Sequence, residues 1–324
     1  MSGPILVYGA TGFTGRCCIR ALEEDGTEYL IGGRNRERLE AVAGTHCAGI
    51  RVADASNPAA AFDGVGCVVS TVGPFVRYGL PVLDAAIAAG AHYVDTTAEQ
   101  PFLRDALGRH AAAVSAGVTA LPAAGVEYAP MFLAAALLGN GPVQSYLWLD
   151  DFLPTQGSVR SMIAMAGVGP TPWPVAISAE ERGGRAIRIP GAEEVFVHPD
   201  SRTYLVLRRR EVYPFAFLWP IARRLPPSEA LADRVAASVT DPTQAQSEEA
   251  RYTAVVSNGS EAVRIDGRDV YGSTGRFAIR LAGLLVAGEA REAGVMSCGV
   301  ALPAESTLAH LDLAARRVPV PRVG

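Results

Sequence analysis

Lysine is absent. All 29 basic residues of the 324-residue chain are arginine. Codon bias in a GC-rich genome is the expected cause, and the abundance of Ala, Gly and Val agrees with it. Whatever its origin, the absence excludes Schiff-base catalysis, a lysine general base and a phosphate-loop lysine. Cysteine is also scarce. The five residues, Cys17, Cys18, Cys47, Cys67 and Cys298, are odd in number and include no C-x-x-C pair. That pattern excludes a disulfide framework and a zinc site, and Cys17 and Cys18 read as packing residues of the first helix. No His or carboxylate pair has metal-ligand spacing, so no metal is expected. No apolar run reaches the roughly 18 residues that span a bilayer. No basic region precedes the strand that starts near Ile5, so neither a signal peptide nor a membrane span is expected, and the chain should be cytoplasmic. Strong positive charge is missing too: the formal net charge is −4, which offers no attraction to nucleic acid.

What is present is apolar and alternating. Nearly half of the residues are hydrophobic (49%), enough for a large buried core. Short apolar runs at Pro4–Tyr8, Glu28–Ile31, Gly49–Val52, Cys67–Thr71, His92–Asp95 and Val118–Leu121 read as strands. Helical spacing at Thr14–Glu24, Asn35–Ala43, Leu80–Ala89 and Pro101–Ala116 separates them. Strands without a polar face, joined by helices, imply a parallel doubly wound α/β sheet. His92 reads as a core residue and His110 as a surface one.

The pattern changes near Gly125. A helix at Met131–Leu138, a strand at Gln144–Phe152 and a helix at Ser158–Met165 come first. Strands at Arg185–Ile189, Glu194–His198 and Thr203–Leu207 then suggest an antiparallel sheet. Helices follow at Pro227–Val239, Ser273–Ala287 and Glu305–Ala315, with a hairpin between Arg251–Asn258 and Ala262–Arg268. The apolar run Tyr213–Pro220, followed by Arg223 and Arg224, reads first as core, then as a substrate or dimer wall, and last as a membrane-surface contact.

The chemistry is concentrated in Gly9-Ala10-Thr11-Gly12-Phe13-Thr14-Gly15, between the first strand and first helix. Glycines there allow a tight turn and close approach of a pyrophosphate, whose charge the helix amides and dipole hold. After the second strand an NAD enzyme places an acid on the ribose 2′-hydroxyl. This chain has Gly32-Gly33-Arg34-Asn35-Arg36 instead. A guanidinium suits a 2′-phosphate in charge and geometry, so NADP(H) is the expected cofactor. Arg34 is the first candidate to hold it; Arg36 is as readily a solvated surface residue. Asp54 either reaches the adenine or caps a short helix. Ser70-Thr71-Val72-Gly73-Pro74-Phe75 ends the fourth strand, at the switch point that faces a dinucleotide. Hydride transfer also needs a proton source. With no lysine, Tyr128, Glu127, Asp95, Glu99 and Tyr271 are the candidates; capping or packing is the structural alternative for each. Tyr78 reads in the same two ways. A Tyr-x-x-x-Lys pair of the short-chain dehydrogenase type cannot exist.

These residues resemble the saccharopine dehydrogenase-like oxidoreductases, a family that includes saccharopine reductases and trans-acting enoyl reductases. The resemblance rests on GATGFTG (9–15), GGRN (32–35), STVGPFVRYGLPV (70–82), GAHYVDTTAEQPF (90–102), GVEYAP (125–130) and DVYGSTGRFAIRLA (269–282). It implies a Rossmann domain at 1–128, an inserted α+β substrate and dimerisation domain at 129–268, and a C-terminal helical segment at 269–324 returning to the Rossmann side. It also implies NADP(H) bound through Gly9, Gly12, Gly15, Arg34 and the Ser70–Phe75 loop, with Tyr93–Glu99 and Gly125–Pro130 near the nicotinamide. Members often read Gly-Phe-Asp-Ser-x-Pro where this chain has 125–130, and Thr-Gly-Glu where it has Thr97-Ala98-Glu99. The chain lacks the extra residues suited to a large amino-diacid such as saccharopine. The expected function is an NADPH-dependent reductase of a C=N or C=C bond in a small or medium organic substrate, natural-product intermediates included, with a homodimer as the candidate assembly. A non-redox isomerase or cyclase on the same fold, and a non-enzymatic NADPH-binding protein, are the alternatives.

Overall fold

The strand Ile5–Tyr8 (β1) is buried along its whole length, because strands pair with it on both sides. Tyr29–Gly33 (β2) and Cys67–Ser70 (β4) run parallel to it, with Tyr8 in register with both Gly32 and Ser70. Cys47–Val52 (β3), His92–Asp95 (β5) and Thr119–Leu121 (β6) extend the sheet. A two-residue strand, Gly294–Val295, completes it. The order is Gly294–Val295, β6, β5, β4, β1, β2, β3, all parallel. Chain order reverses between β1 and β4, the place where open α/β sheets bind ligands.

The structure, a computed structural model, describes residues 3–165, 168, 174–180, 182–207 and 229–323. The run Tyr213–Pro220, with Arg223 and Arg224, lies outside them. The chain forms two compact units: Met1–Ala129 with Tyr271–Pro303, and Pro130–Val270 with Ala304–Gly324.

In the first unit, Phe13–Glu24 (α1), Arg36–Glu40 (α2), Phe75–Ala88 (α3), Gln100–Leu107 (α4) and His110–Ser115 (α5) connect the strands. Two helices differ from expectation. The single helix expected at Pro101–Ala116 is broken at Gly108-Arg109, where a glycine weakens helix continuity. α3 begins at Phe75 rather than Leu80 and contains Pro81. Cys17 and Cys18 are buried, and His92 accepts a hydrogen bond from the Thr119 amide at 3.0 Å.

In the second unit, Gln144–Asp150 (β7), Val175–Ala179 (β8), Arg182–Ile189 (β9), Arg202–Leu207 (β10), Arg251–Ser257 (β11) and Ala262–Arg268 (β12) build another sheet. Ala315–Val318 pairs with β12, and Arg322–Val323 with β8. This places the end of the chain in the second unit, whereas the helical segment expected at 269–324 was to return as one piece. The sheet is mixed, not antiparallel: β10 runs parallel to β7, which the long connection between them permits. Glu193–Phe196, which overlaps the strand expected at Glu194–His198, is a short helix. There Glu193 is buried and accepts from the Thr203 hydroxyl at 2.6 Å, and Phe196 packs edge-on against Phe132. Tyr146, Trp148, Ile177, Val206 and Val255 share one apolar cluster, with Val318 packed against it. Strands from opposite ends of the sheet thus meet, so the sheet curls. Glu180, in the β8–β9 turn, ties this closure by pairing with Arg264 and Arg316, each at 2.8 Å.

Candidate functional site

The site is built from the C-terminal ends of the parallel strands in the first unit. The chain leaves β1 at Gly9, whose φ of +93° lies in the left-handed region that a side chain resists. A Cβ there would meet Thr71 Oγ1 at 2.7 Å and Val72 at 2.8 Å. The Gly9 and Ala10 amides donate to the Gly32 carbonyl at 2.9 and 3.3 Å, which anchors the turn to β2. Gly12 is the N-cap of α1 and no side chain caps that helix. Gly12 is exposed, and a Cβ on it would meet nothing but the Gly9 carbonyl oxygen, at 3.3 Å. The first turn of a twelve-residue helix therefore presents its amides to open space. Gly15 has the opposite surroundings. It is buried against Gly9 and Ala10, with Ala10 Cα 2.8 Å from a Cβ position, so α1 can lie close to the turn. Thr11 and Thr14 are partly exposed beside Gly12. The Thr11 carbonyl accepts from Arg16 at 2.7 Å. The Phe13 ring stands edge-on to Tyr271, with centroids 5.0 Å apart, which places Tyr271 at the glycine turn.

Arg34 is exposed directly after β2. Asn35 caps α2, its Oδ1 accepting from the Arg38 amide at 2.9 Å. Arg36 pairs with Glu40 at 3.8 Å in solvent, which fits the surface role. Asp54 caps no helix; the nearest helical turn, Ala59–Ala61, is preceded by Pro58. Its carboxylate instead accepts from the Ser56 amide at 3.0 Å and hydroxyl at 2.7 Å. Those bonds, and then the positive charges of Arg34 and Arg77, hold its pKa below the usual carboxylate range. Arg77 was not among the residues singled out from the sequence.

The loop after β4 is fastened to the glycine turn. Thr71 Oγ1 donates to the Tyr8 and Gly9 carbonyls at 3.3 and 3.1 Å. Ser70 is buried, Val72 and Pro74 are partly exposed, and Gly73 is exposed. Phe75 packs against Phe102, ring centroids 5.7 Å apart.

Two buried carboxylates organise this edge. Glu99 is fully buried, and its two oxygens accept from the Phe75 amide at 3.0 Å and the Val76 amide at 2.8 Å. It thereby caps α3, a favourable place for an anion. This explains why α3 starts five residues earlier than its own sequence suggests. Asp95 is likewise fully buried, and its Oδ1 accepts from the Thr97 amide at 2.9 Å and the Ala123 amide at 3.0 Å. Its own carbonyl accepts from the Ala124 amide at 2.7 Å. Asp95 thus pins the loop after β6, where Ala123 takes a positive φ of 59°. Beyond that loop, the Tyr128 amide donates to the Gly125 carbonyl at 3.1 Å. The Val126 amide donates to Thr274 Oγ1 at 3.2 Å. Thr274, too, was not anticipated, since its partner is 148 residues away. Tyr128 is 2% exposed. Glu127 keeps part of its surface, and burial raises its carboxyl pKa.

Burial also pushes the Asp95 carboxyl from an ordinary 3.8 up to about 7, against the lowering by its hydrogen bonds and with Glu99 adding to the rise. The folded chain therefore retains a proton that the unfolded chain releases between about pH 4 and 7. The native state binds more protons in that window, so stability falls as pH rises through it. The full effect is roughly 4 kcal/mol above pH 7. Asp95→Asn keeps the Oδ1 acceptor and cannot ionise. Urea unfolding from pH 4 to 8 should show the wild type losing stability relative to this variant as pH rises. Parallel profiles for the two proteins would refute the assignment.

These features define a dinucleotide-binding unit. The open glycine turn, the uncapped α1 and the arginine in place of an acid after β2 fit NADP(H). Residues 5–121 match the family described as "Saccharopine dehydrogenase NADP binding domain". Over 137 residues, 39% of this chain, it is 36% identical to the trans-acting enoyl reductases of Mycobacterium leprae and Mycobacterium tuberculosis. The chain covers 33% of the length of each of those relatives. In fold it is similar to saccharopine dehydrogenase (L-Glu forming) from Saccharomyces cerevisiae, at a TM-score of 0.61 and 12% identity, over 98% of this chain and 100% of that one. An amine dehydrogenase from Mycobacterium smegmatis matches at a TM-score of 0.51 and 13% identity, over 94% and 96% of the two chains. Among the described residues, no helix is long and apolar enough to cross a membrane.

Proposed function

We propose that this chain is an NADPH-dependent reductase that saturates the C=C bond of an enoyl substrate. The observation that carries the reading is the uncapped, side-chain-free amide turn at Gly12, with Arg34 and no carboxylate at the end of β2. Over 137 residues the chain is 36% identical to an enzyme named trans-acting enoyl reductase. The bound cofactor supplies the hydride, and the protein supplies placement and a proton. The α1 amides of Phe13 and Thr14 would hold the pyrophosphate, and Arg34 the 2′-phosphate. The Thr71–Phe75 loop, fastened to Gly9, forms the wall beside them.

The proton role falls to the Gly125–Tyr128 turn. Glu99 spends both carboxylate oxygens on backbone amides and Asp95 spends Oδ1 on two, so they position loops. Tyr271 packs on Phe13, at the phosphate end. Glu127 remains, with a carboxyl that burial biases toward its protonated form, and Tyr128 beside it. Glu127 is the proposed proton donor and Tyr128 orients the substrate.

Cofactor choice is the first test. Wild type should bind NADPH more tightly than NADH. Arg34→Ala should weaken NADPH by about 1.5–3 kcal/mol, the worth of a charge-assisted contact, and leave NADH nearly unchanged. Fluorescence titration of both cofactors measures this, and equal wild-type affinities would end the reading. Single-turnover loss of NADPH absorbance with an α,β-unsaturated thioester then tests the reaction.

A further inference from the structure

The peptide between Thr11 and Gly12 is fastened at both ends. Its N–H, on Gly12, donates to the Gly9 carbonyl at 3.0 Å. Its carbonyl, on Thr11, accepts from Arg16 Nη1 at 2.7 Å. This peptide comes just before α1, and its plane sets where the next amides, those of Phe13 and Thr14, point. A flip of the peptide would turn about ψ of Thr11 and φ of Gly12, and a glycine resists such a turn less than any other residue. The two hydrogen bonds therefore hold the plane. Arg16 is well placed to make the second one. Helical side chains lean toward the helix N-terminus, and Arg16 lies one turn into α1. Its guanidinium carbon is 5.6 Å from the centroid of the Phe13 ring, within the range of a cation–π contact. Phe13 is itself held, because its ring stands edge-on to Tyr271 at 5.0 Å. The helix Val270–Val286, which carries Tyr271, lies close against α1: a Cβ on Gly275 would come within 2.7 Å of the Cys17 backbone. A chain of contacts thus runs from that helix through Tyr271, Phe13 and Arg16 to the Thr11 carbonyl. Arg16 also brings a full positive charge to the turn, beside the positive end of the α1 dipole. Unlike Arg34, it belongs to the turn that NADPH and NADH would use alike.

We propose that Arg16 is a positioning residue of the pyrophosphate subsite, locking the Thr11–Gly12 peptide so that the Phe13 and Thr14 amides face the pyrophosphate before the cofactor arrives. The inference rests on the cofactor reading above and adds the side chain that shapes its phosphate cradle. An amide pair held ready in this way strengthens binding, because the ligand no longer has to order the turn. Arg16 is exposed, so its replacement leaves the core of the unit intact.

The test uses the full-length protein and three probes: NADPH, NADH and 2′-AMP, which carries the adenosine 2′-phosphate but no pyrophosphate. Isothermal titration of wild type, Arg16→Ala, Arg16→Lys and Arg34→Ala reads binding apart from turnover. Arg16→Ala should weaken NADPH and NADH by the same factor, about tenfold, and leave 2′-AMP within about twofold of wild type. Arg34→Ala should give the other pattern, with NADPH and 2′-AMP weakened and NADH unchanged. Arg16→Lys keeps the charge and a donor for the Thr11 carbonyl, so it should return NADPH affinity to within about threefold of wild type. The inference is overturned if Arg16→Ala binds both cofactors as wild type does, or if Arg16→Lys is as weak as Arg16→Ala. Equal weakening of 2′-AMP and NADPH in Arg16→Ala also overturns it, since that makes Arg16 a support of the whole unit. Wild type binding neither cofactor would sink the cofactor reading itself. Wild-type binding of NADPH that Arg16→Ala keeps in full would sink this inference alone.

Discussion

Gly12→Val is expected to raise the NADPH dissociation constant at least about 100-fold while the protein stays folded. The two halves of this outcome have separate causes. Gly12 has φ −71° and ψ 166°, an extended conformation that valine adopts without strain. A Cβ there meets one atom, the Gly9 carbonyl oxygen at 3.3 Å, so folding requires a shift of a few tenths of an ångström. The added methyl groups project toward the space in front of the α1 amides, where a pyrophosphate must come within hydrogen-bond distance. Gly15→Val makes the contrast, because its Cβ would press on Gly9 and Ala10 backbone atoms and damage the fold itself. Thermal unfolding should show Gly12→Val close to wild type and Gly15→Val well below it. Near wild-type NADPH affinity in Gly12→Val would place the phosphates elsewhere.

Glu127→Gln is expected to slow the reductive half-reaction by 10²–10⁴-fold, the usual value of a positioned proton donor, with NADPH affinity changed by less than about twofold. Glutamine preserves size and hydrogen bonding but supplies no acidic proton. The turn holding Glu127 is fixed by the Tyr128 and Ala129 amides on the Gly125 carbonyl and by Thr274 on the Val126 amide, so the substitution should not move its neighbours. Burial raises the Glu127 pKa, which keeps the proton on the carboxyl to higher pH. Wild-type turnover should therefore fall as pH rises through that pKa, and the fall should vanish in Glu127→Gln. Tyr128→Phe should raise KM more than it lowers kcat, because an orienting hydroxyl acts on placement. If both variants reduce a confirmed substrate at the wild-type rate in single turnover, the turn has no part in the chemistry, and Asp95, Glu99 and Tyr271 become the residues to substitute.

Asp95 and Glu99 show where reading from sequence stopped. Each is an acid just beyond a strand end, a position shared by catalytic and structural carboxylates, and each was a candidate for chemistry. The difference lies in their partners. Glu99 meets amides 24 and 23 residues earlier, and Asp95 meets one 28 residues later. Local spacing cannot report such bonds. The start of α3 followed suit: its first-turn amides are satisfied by Glu99, so no local capping residue announces them.

By itself the sequence determined what depends on neighbouring residues. The buried apolar runs, the glycine spacing after β1, and the missing acid and the arginine after β2 are each properties of a few consecutive residues. Together they were enough for the parallel doubly wound sheet, its switch point and the kind of cofactor. Tertiary structure decided the rest. Gly294–Val295 became a strand because β6 offered it an edge, since two residues have no periodicity of their own. Glu193–Phe196 became helical through Thr203 and Phe132, although its alternation suits a strand. The second sheet became mixed and curled because β10 found β7 in parallel and Glu180 found Arg264 and Arg316. Pairing between distant segments is set by which faces and edges remain to be buried once the nearer elements have formed, and that is a property of the folded chain.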